Sequence, residues 1–224
     1  MEKWSTVWSY AQRSTEYTRW EKQNHFKINV RSNLYGSAIR LKYSNMYNRE
    51  RIAVKEVFLC AVNLQKYENN LVRISEAFDI SYKESKYSGI FSCDVTPDTT
   101  LEIQMVFATY KNPLTGNTFN GYLAMVLQSV EVLTDEKPVT LACFGDSITH
   151  QGMWTEPMIR RLYQRYPGKV TAFEVGINGN RLLRDSPEYA NTLGVSGLHR
   201  FEHDVLDICG ITPVSYTHLT LPTT

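Results

Sequence analysis

The pattern of hydrophobic and polar positions changes once along this chain. Between about residues 24 and 133, apolar and polar residues alternate, most clearly over 26–30, 39–43 and 101–107. Successive side chains of a strand point to opposite faces of a sheet, so this alternation predicts half-buried strands of a β-sandwich. Stretches rich in Asn, Gly and Pro separate the segments, as at 112–117, and predict turns.

A second pattern follows the charged link at 134–138. Residues 139–144 and 170–175 are apolar on nearly every position and predict buried strands. Residues 155–166 carry an apolar stripe at helical spacing, and apolar residues recur at helical spacing over 198–206. The order strand, helix, strand, helix predicts a parallel α/β sheet.

Composition and charge remove several classes of partner. The chain of 224 residues is 42% hydrophobic and 21% charged, which is ordinary for a globular protein, and its formal net charge is +1. This balance gives no electrostatic reason to expect nucleic acid or a membrane surface as a partner. No apolar run approaches the length of about 18 residues that spans a bilayer, and the first residues lack the apolar core of a signal peptide. We therefore expect a cytoplasmic location. The sequence leaves the oligomeric state open.

The candidate chemistry lies where the first buried strand ends. The strand runs directly into Gly145-Asp146-Ser147, so a hydroxyl is presented at the start of the following helix. The second strand ends in a glycine loop at 176–180. Ligands of open parallel sheets bind beyond the carboxyl ends of the strands, and both loops are predicted to lie there. The simpler interpretation of Ser147 is a helix-capping or turn residue.

These residues carry a resemblance to a known family. Residues 144–149, Phe-Gly-Asp-Ser-Ile-Thr, resemble the first motif block of the GDSL/SGNH hydrolases, which are serine esterases and lipases. Residues 175–183 resemble the second block in the branch that reads Gly-Ile-Ser-Gly-Asn-Arg-Leu-Leu, with Asn178 in place of the usual Ser. Residues 30–45 and 92–107 resemble the β-rich module that precedes the catalytic domain in some members.

The resemblance implies a role for each loop. Ser147 Oγ would attack the carbonyl carbon of an ester, and the backbone N–H groups of Ser147 and Gly179 would hold the oxyanion that forms. Asp146 is expected to brace the turn, and Asn178 to lie in a surface turn. The implied substrate is a small ester or an acetylated carbohydrate. A serine mechanism implies no metal and no cofactor.

The base that such a serine needs is missing from the expected place. The family supplies its histidine from an Asp-x-x-His segment, and no such segment occurs in this sequence. His150 is the nearest substitute along the chain, whereas His25, His199 and His203 are interpreted as surface or structural residues. We therefore predict an inactive serine esterase fragment.

The last residues and the fold class complete the prediction. Residues 213–224 are uncharged and rich in threonine, and they resemble the translation of a sequencing adaptor, so we expect no strand or helix there. The predicted fold is a β-sandwich module over 1–135, followed by a truncated α/β domain with a flavodoxin-like, SGNH-type parallel sheet over 136–212.

Two other functions remain open from the sequence. The β-rich half, with its Tyr and Trp residues, could bind carbohydrate without catalysis. The helix after Ser147 could bind phosphate or a nucleotide, although no Gly-x-Gly-x-x-Gly or Gly-Lys-Ser/Thr pattern supports that function.

Overall fold

The computed structural model describes residues 2–13, 25–49, 51–62, 71–107, 126–187 and 193–217. Strands account for 49% of the structure and helices for 16%. The predicted turn at 112–117, most of the predicted extended segment at 122–127, and His218 lie outside the described residues.

Thirteen strands occur within the described ranges. In chain order they are β1 (Lys3–Ser9), β2 (His25–Arg31), β3 (Gly36–Ser44), β4 (Ile52–Val62), β5 (Val72–Ser75), β6 (Phe78–Ile80), β7 (Ser85–Tyr87), β8 (Phe91–Val95), β9 (Thr100–Phe107), β10 (Leu127–Thr134), β11 (Val139–Gly145), β12 (Val170–Gly176) and β13 (Ile211–Thr217). The helical elements are α1 (Ser147–His150), α2 (Thr155–Arg165), α3 (Gly197–Phe201) and a π-helical turn (Glu202–Leu206) that continues α3.

Two five-stranded antiparallel sheets enclose the main core. The first has the strand order β1-β10-β3-β7, with β8 also paired to β3, and the second has the order β2-β9-β4-β5, with β6 also paired to β4. In β9, Leu101, Ile103 and Met105 are fully buried, whereas Glu102 and Gln104 between them are partly exposed. The sandwich core combines apolar residues of both sheets. The strands predicted from the period-two alternation are confirmed at β2, β3 and β9.

A small parallel sheet follows in the second half of the chain. Strand β11 lies in its centre and pairs in parallel with β12 on one side and β13 on the other. Phe144, Phe173 and Val175 of this sheet pack against Val205 of the π-helical turn. The predicted strands at 139–144 and 170–175 and the predicted helix at 155–166 are confirmed.

The fold class predicted from the sequence is nevertheless wrong. The protein is predominantly β, and ten of its thirteen described strands belong to antiparallel sheets, so it is not a sandwich joined to a flavodoxin-like α/β domain. Among the described strands, parallel pairing is limited to three, and the longest described helix has 11 residues. The apolar runs at 139–144 and 170–175 predict the strands of a separate, truncated α/β domain. In the structure they are buried partly because the sandwich itself packs against them, as Ala11, just after β1, does in their core.

The segment predicted to lie outside the fold also differs from expectation. Residues 211–217 form β13, which places Tyr216 against the ring of Phe144. Val, Ser, Tyr and Thr suit an extended conformation. Without β13, the edge of β11 that faces away from β12 would have unpaired backbone groups. Pro213 is accommodated because β13 is an outer strand with a register shift beside Thr140 and Ala142.

The sandwich and the parallel sheet share a polar interface. Asn33 donates from Nδ2 to the carbonyl oxygens of Val170, at 2.8 Å, and Tyr166, at 3.1 Å. Its own carbonyl accepts from the N–H of Gly168. Thr6 of β1 donates its N–H to the carbonyl of Cys209. The parallel sheet is therefore held in a fixed position against the sandwich.

Candidate functional site

The turn that carries Ser147 is built by Asp146 and Gly176. Asp146 is the N-cap of α1, and its Oδ1 accepts a hydrogen bond from the N–H of Ile148 at 3.0 Å. The predicted bracing role of Asp146 is confirmed. Gly176 at the end of β12 has no room for a side chain, because a Cβ there would collide with His150 N and lie 2.9 Å from the carbonyl oxygen of Asp146. The turn is therefore packed directly onto the neighbouring strand.

Ser147 itself is partly exposed and is the first residue of α1. Its N–H has no acceptor within the helix, because the first N–H groups of a helix point outward. Its hydroxyl makes no hydrogen bond to the part of the chain that the structure describes. Helix α1 has only 4 residues, so it adds little dipole field to stabilise an anion. The predicted nucleophilic role of Ser147 stays a prediction.

Gly179 lies in the adjacent loop. Gly145 at the end of β11 is directly opposite Gly176 at the end of β12 in the parallel register. Ser147 follows the end of β11 and Gly179 follows the end of β12 by only a few residues each, so both lie at the same edge of the sheet. Gly179 is exposed and has a φ of +70°, and a Cβ at this position would lie 2.8 Å from Leu193 Cδ2. Asn178 is exposed in a turn, as predicted.

Arg200, which the sequence pattern does not single out, connects the strand ends that lead into these two loops. Arg200 is on α3 with 0% of its surface exposed. Its guanidinium donates from Nη2 to the carbonyl of Gly145 at 2.7 Å and from Nη1 to the carbonyl of Val175 at 2.8 Å. An arginine within a short helical segment of the sequence resembles any surface residue, so only the folded chain shows that this one is buried.

Asn180 extends this network into the glycine loop. Its Oδ1 accepts from Arg200 Nε at 2.9 Å. Its Nδ2 donates to the carbonyls of Leu193, at 2.9 Å, and Val195, at 2.7 Å. The loop that holds Gly179 is therefore fixed to the segment that precedes α3.

Four histidines lie in the described residues, and none of their rings hydrogen-bonds Ser147. His203 is buried, with Nδ1 2.8 Å from Asp204 Oδ1 and Nε2 3.1 Å from Ser44 Oγ. His25 contacts Gln104, and His199 lies beside Asp185 at the surface.

His150 is the histidine closest to Ser147 along the chain. Its Nδ1 lies 3.2 Å from the carbonyl of Gly176, and because a carbonyl only accepts, Nδ1 carries the proton. Burial, with a further contribution from the positive charge of Arg13, lowers the pKa of His150 below its ordinary value. Its ring meets Tyr10 edge to face rather than the serine hydroxyl.

A cavity of about 790 Å³ lies between the outer face of β2, the end of β1, and the layer formed by α2 and β12. Trp8, Tyr10, His150 and Glu174 are among the described residues that line it, and Ser147 is not. Glu174 accepts a hydrogen bond from Thr155 Oγ1 at 2.6 Å, and burial raises its pKa, with Glu156 adding to the effect. The cavity therefore reaches His150 and Gly176 beside the Ser147 turn, although Ser147 itself does not line it.

Comparisons with known proteins give no family. No protein-family model matches the chain, and no curated protein matches it. Among solved structures, it is similar to infectious bursal disease virus strain Gx (TM-score 0.31, 9% identity), covering 59% of this chain and 35% of the viral chain. It is also similar to the receptor binding domain of spike protein P1 from bacteriophage PM2 (TM-score 0.27, 11% identity), covering 58% of this chain and 93% of that one. With TM-scores this low, neither likeness bears on fold or function.

Two further observations concern metals and membranes. Within the described ranges, no group of three or more His, Cys, Asp or Glu residues is arranged to hold a metal ion. None of the helices described is long and apolar enough to cross a bilayer. The expectations of no metal, no cofactor and a cytoplasmic location stay predictions.

Proposed function

We propose that this chain carries the acyl-transfer site of a serine ester hydrolase of the GDSL/SGNH type. Ser147 is the nucleophile, the N–H groups of Ser147 and Gly179 receive the oxyanion, and the substrate is a small carboxylic ester such as an acetylated carbohydrate. The observation that carries the proposal is the register of the parallel sheet. Because Gly145 lies opposite Gly176, the serine turn and the glycine loop emerge side by side.

Ester cleavage by a serine requires a nucleophile, oxyanion donors and a base, and this placement concerns the first two. Ser147 Oγ forms a bond to the carbonyl carbon and gives its proton to a base, while the carbonyl oxygen becomes an anion. The oxyanion then collapses, the alcohol leaves with a proton, and water later releases the acyl group from the serine. Donors that are already aimed at the oxyanion lower the barrier because no reorganisation is needed during the reaction.

The proton acceptor is the part of the mechanism that this site does not provide. His150 is neutral near neutral pH but is turned toward Tyr10, and His203 is bonded on both nitrogens. A serine hydroxyl without a base is a poor nucleophile. We therefore expect the chain to give no ester turnover above a Ser147→Ala variant.

A small external base makes the proposal testable. The folded chain is treated with a fluorophosphonate probe at neutral pH, with and without added imidazole, and adducts are mapped by peptide mass spectrometry. We expect imidazole to produce an adduct on Ser147, because it takes the proton that no side chain accepts.

Two variants serve as controls for this experiment. Ser147→Ala should remove the adduct, and Ser37→Ala, at an exposed serine of β3, should leave it unchanged. An adduct that persists in Ser147→Ala, or a folded protein that shows no adduct at any imidazole concentration, would contradict the proposed function.

A further inference from the structure

We propose that Arg200 is a positioning residue that sets the placement of the Ser147 turn relative to the Gly179 loop. This inference rests on the proposed function, because it concerns the same two loops. Arg200 touches neither the nucleophile nor the proposed oxyanion donors directly. Two of its hydrogen bonds go to the backbone that leads into both loops.

The first argument is where the guanidinium donates its hydrogen bonds. Gly145 is the last residue of β11, and Val175 is the next to last of β12. Arg200 donates to the carbonyl oxygens of both, at 2.7 and 2.8 Å. One rigid planar group therefore connects the carboxyl ends of two neighbouring parallel strands, at the level where the chain turns toward Ser147 on one strand and toward Gly179 on the other.

The second argument is that the same group also orients the glycine loop. Arg200 Nε donates to Asn180 Oδ1, and Asn180 Nδ2 donates to the carbonyls of Leu193 and Val195. Gly179 precedes Asn180 and lies against the side chain of Leu193. Asn180 therefore joins the loop that contains Gly179 to the segment at 193–195 and to Arg200, and these contacts hold Gly179 in its left-handed conformation.

The third argument concerns charge. Arg200 pairs with Asp204 Oδ2 at 2.7 Å, both side chains are fully buried, and the guanidinium lies 4.0 Å from the centre of the Phe144 ring. Burying such a pair costs desolvation energy, and an apolar pair of the same volume is often as stable. What apolar residues cannot supply is a set of donors in fixed directions for two carbonyls and one amide. Lysine is likewise a poor replacement, because its ammonium is a point charge without a planar fork.

The test compares Arg200→Lys with Arg40→Lys. Arg40 is a useful control because it is also largely buried and densely bonded, with Nε 2.7 Å from Glu131 and its guanidinium between the rings of Trp4 and Tyr87. Both variants replace the planar guanidinium group of a packed arginine by an ammonium group. Only Arg200 contacts the backbone of the two loops.

The first readout is the rate of fluorophosphonate labelling of Ser147 in imidazole, per folded molecule and across probe concentrations. We expect Arg200→Lys to lower the maximal rate about 10- to 100-fold, with a much smaller change in the probe concentration that gives half-maximal rate, because misplaced groups slow the reacting step. Arg40→Lys should change neither by more than about twofold, as expected for a site remote from the reaction. Equal labelling of the two variants would overturn the inference.

The second readout does not depend on labelling. Hydrogen exchange followed by mass spectrometry should be faster in Arg200→Lys over 145–150 and 176–182, and unchanged over 101–107 in the sandwich. If the unmodified chain is never labelled, the proposed function fails, and the exchange pattern alone decides the role of Arg200. Exchange that is unchanged, or that rises equally in all three regions, would overturn that role.

A milder variant covers the case in which Arg200→Lys does not fold. Asn180→Ala keeps the two bonds from Arg200 to the strand ends and removes the connection to the glycine loop. We expect faster exchange over 176–182 alone. Faster exchange over 145–150 as well, or no change in either region, would contradict the division of contacts described here.

Discussion

Glu174 is an acidic residue on a strand that is otherwise buried. It faces the cavity beside α2, and its carboxylate accepts a hydrogen bond from Thr155. Burial raises its pKa above the ordinary value of 4.5, and the nearby charge of Glu156 raises it further. Since the folded state holds the proton more tightly than the unfolded state does, the charged form of Glu174 destabilises the fold at neutral pH.

We predict that Glu174→Gln raises the midpoint of thermal unfolding at pH 7. The amide keeps an oxygen for Thr155 and removes the buried charge. The gain should shrink as the pH falls through the raised pKa of Glu174, because the carboxyl of the unmodified chain is then neutral as well. Differential scanning calorimetry between pH 7 and about pH 4 measures this difference.

The pKa of Glu102 is shifted in the opposite direction to that of Glu174, so Glu102 serves as the matched control. Its ion pair with Lys27 and a hydrogen bond from Gln104 lower its pKa, so its stabilising effect is present at neutral pH and is lost as the pH falls. Glu102→Gln should therefore lower the unfolding midpoint at pH 7, with a difference that also narrows in acid. A shift in the same direction for both variants would rule out this explanation.

Among the helical elements, α1 depends on its cap more than the others do. It has only 4 residues and is too short to be stable by its own hydrogen bonds. Asp146 Oδ1 supplies the acceptor for the N–H of Ile148, and Gly176 lets the turn pack against β12. The position of Ser147 is thus determined by one side-chain cap and one close backbone contact.

We predict that Asp146→Ala lowers the free energy of unfolding by about 1 kcal/mol, the typical cost of a lost N-cap. Asp146→Asn should lose much less, because its side-chain oxygen can still accept from Ile148 N. Urea unfolding measures both values. Ser196→Ala at the cap of α3 provides a comparison, since Ser196 Oγ accepts from His199 N at a longer distance of 3.3 Å. A loss as large for Asn as for Ala would show that the hydrogen bond is not the cause.

For the whole molecule, the interface between the sandwich and the parallel sheet decides how the protein unfolds. Asn33, a buried residue of the sandwich, makes two side-chain bonds to the segment that leads into β12. Gln128 of β10 donates to the carbonyl of His203, and Ser44 of β3 lies beside the ring of the same residue. Separating the sandwich from the parallel sheet would break all of these hydrogen bonds.

We predict that both parts unfold in one cooperative transition. Hydrogen exchange in increasing urea should give the same midpoint for peptides of β9 in the sandwich and β12 in the parallel sheet. Asn33→Ala should lower both midpoints together and lower the free energy of unfolding by about 1 to 3 kcal/mol, because buried carbonyls lose a donor. Two separate midpoints in the unmodified chain, or a shift confined to β12, would contradict this prediction.

The candidate site could be predicted only in part from the sequence. Gly145-Asp146-Ser147 and the glycine loop were found because strand ends and glycines leave a local signal in the sequence. The cap formed by Asp146 was predicted for the same reason and is confirmed. Arg200, Asn180 and the cavity lined by Glu174 were missed, because each depends on residues that become neighbours only after folding: Arg200 and Asn180 are 20 positions apart, and the cavity joins segments from both halves of the chain.

The sequence by itself determined strands such as β2, β3, β9, β11 and β12, the helix α2 and the position of the serine turn, because these follow from side-chain periodicity and from residues with strong backbone preferences. Only the tertiary structure decided the fold class. An apolar strand such as β11 requires only that its faces be covered, and the sequence does not say by what. Here a three-stranded parallel sheet is covered partly by the antiparallel sandwich, and the buried fork of Arg200 connects its strand ends. Such long-range contacts have no local pattern, which is why the sequence predicted a separate, truncated α/β domain instead.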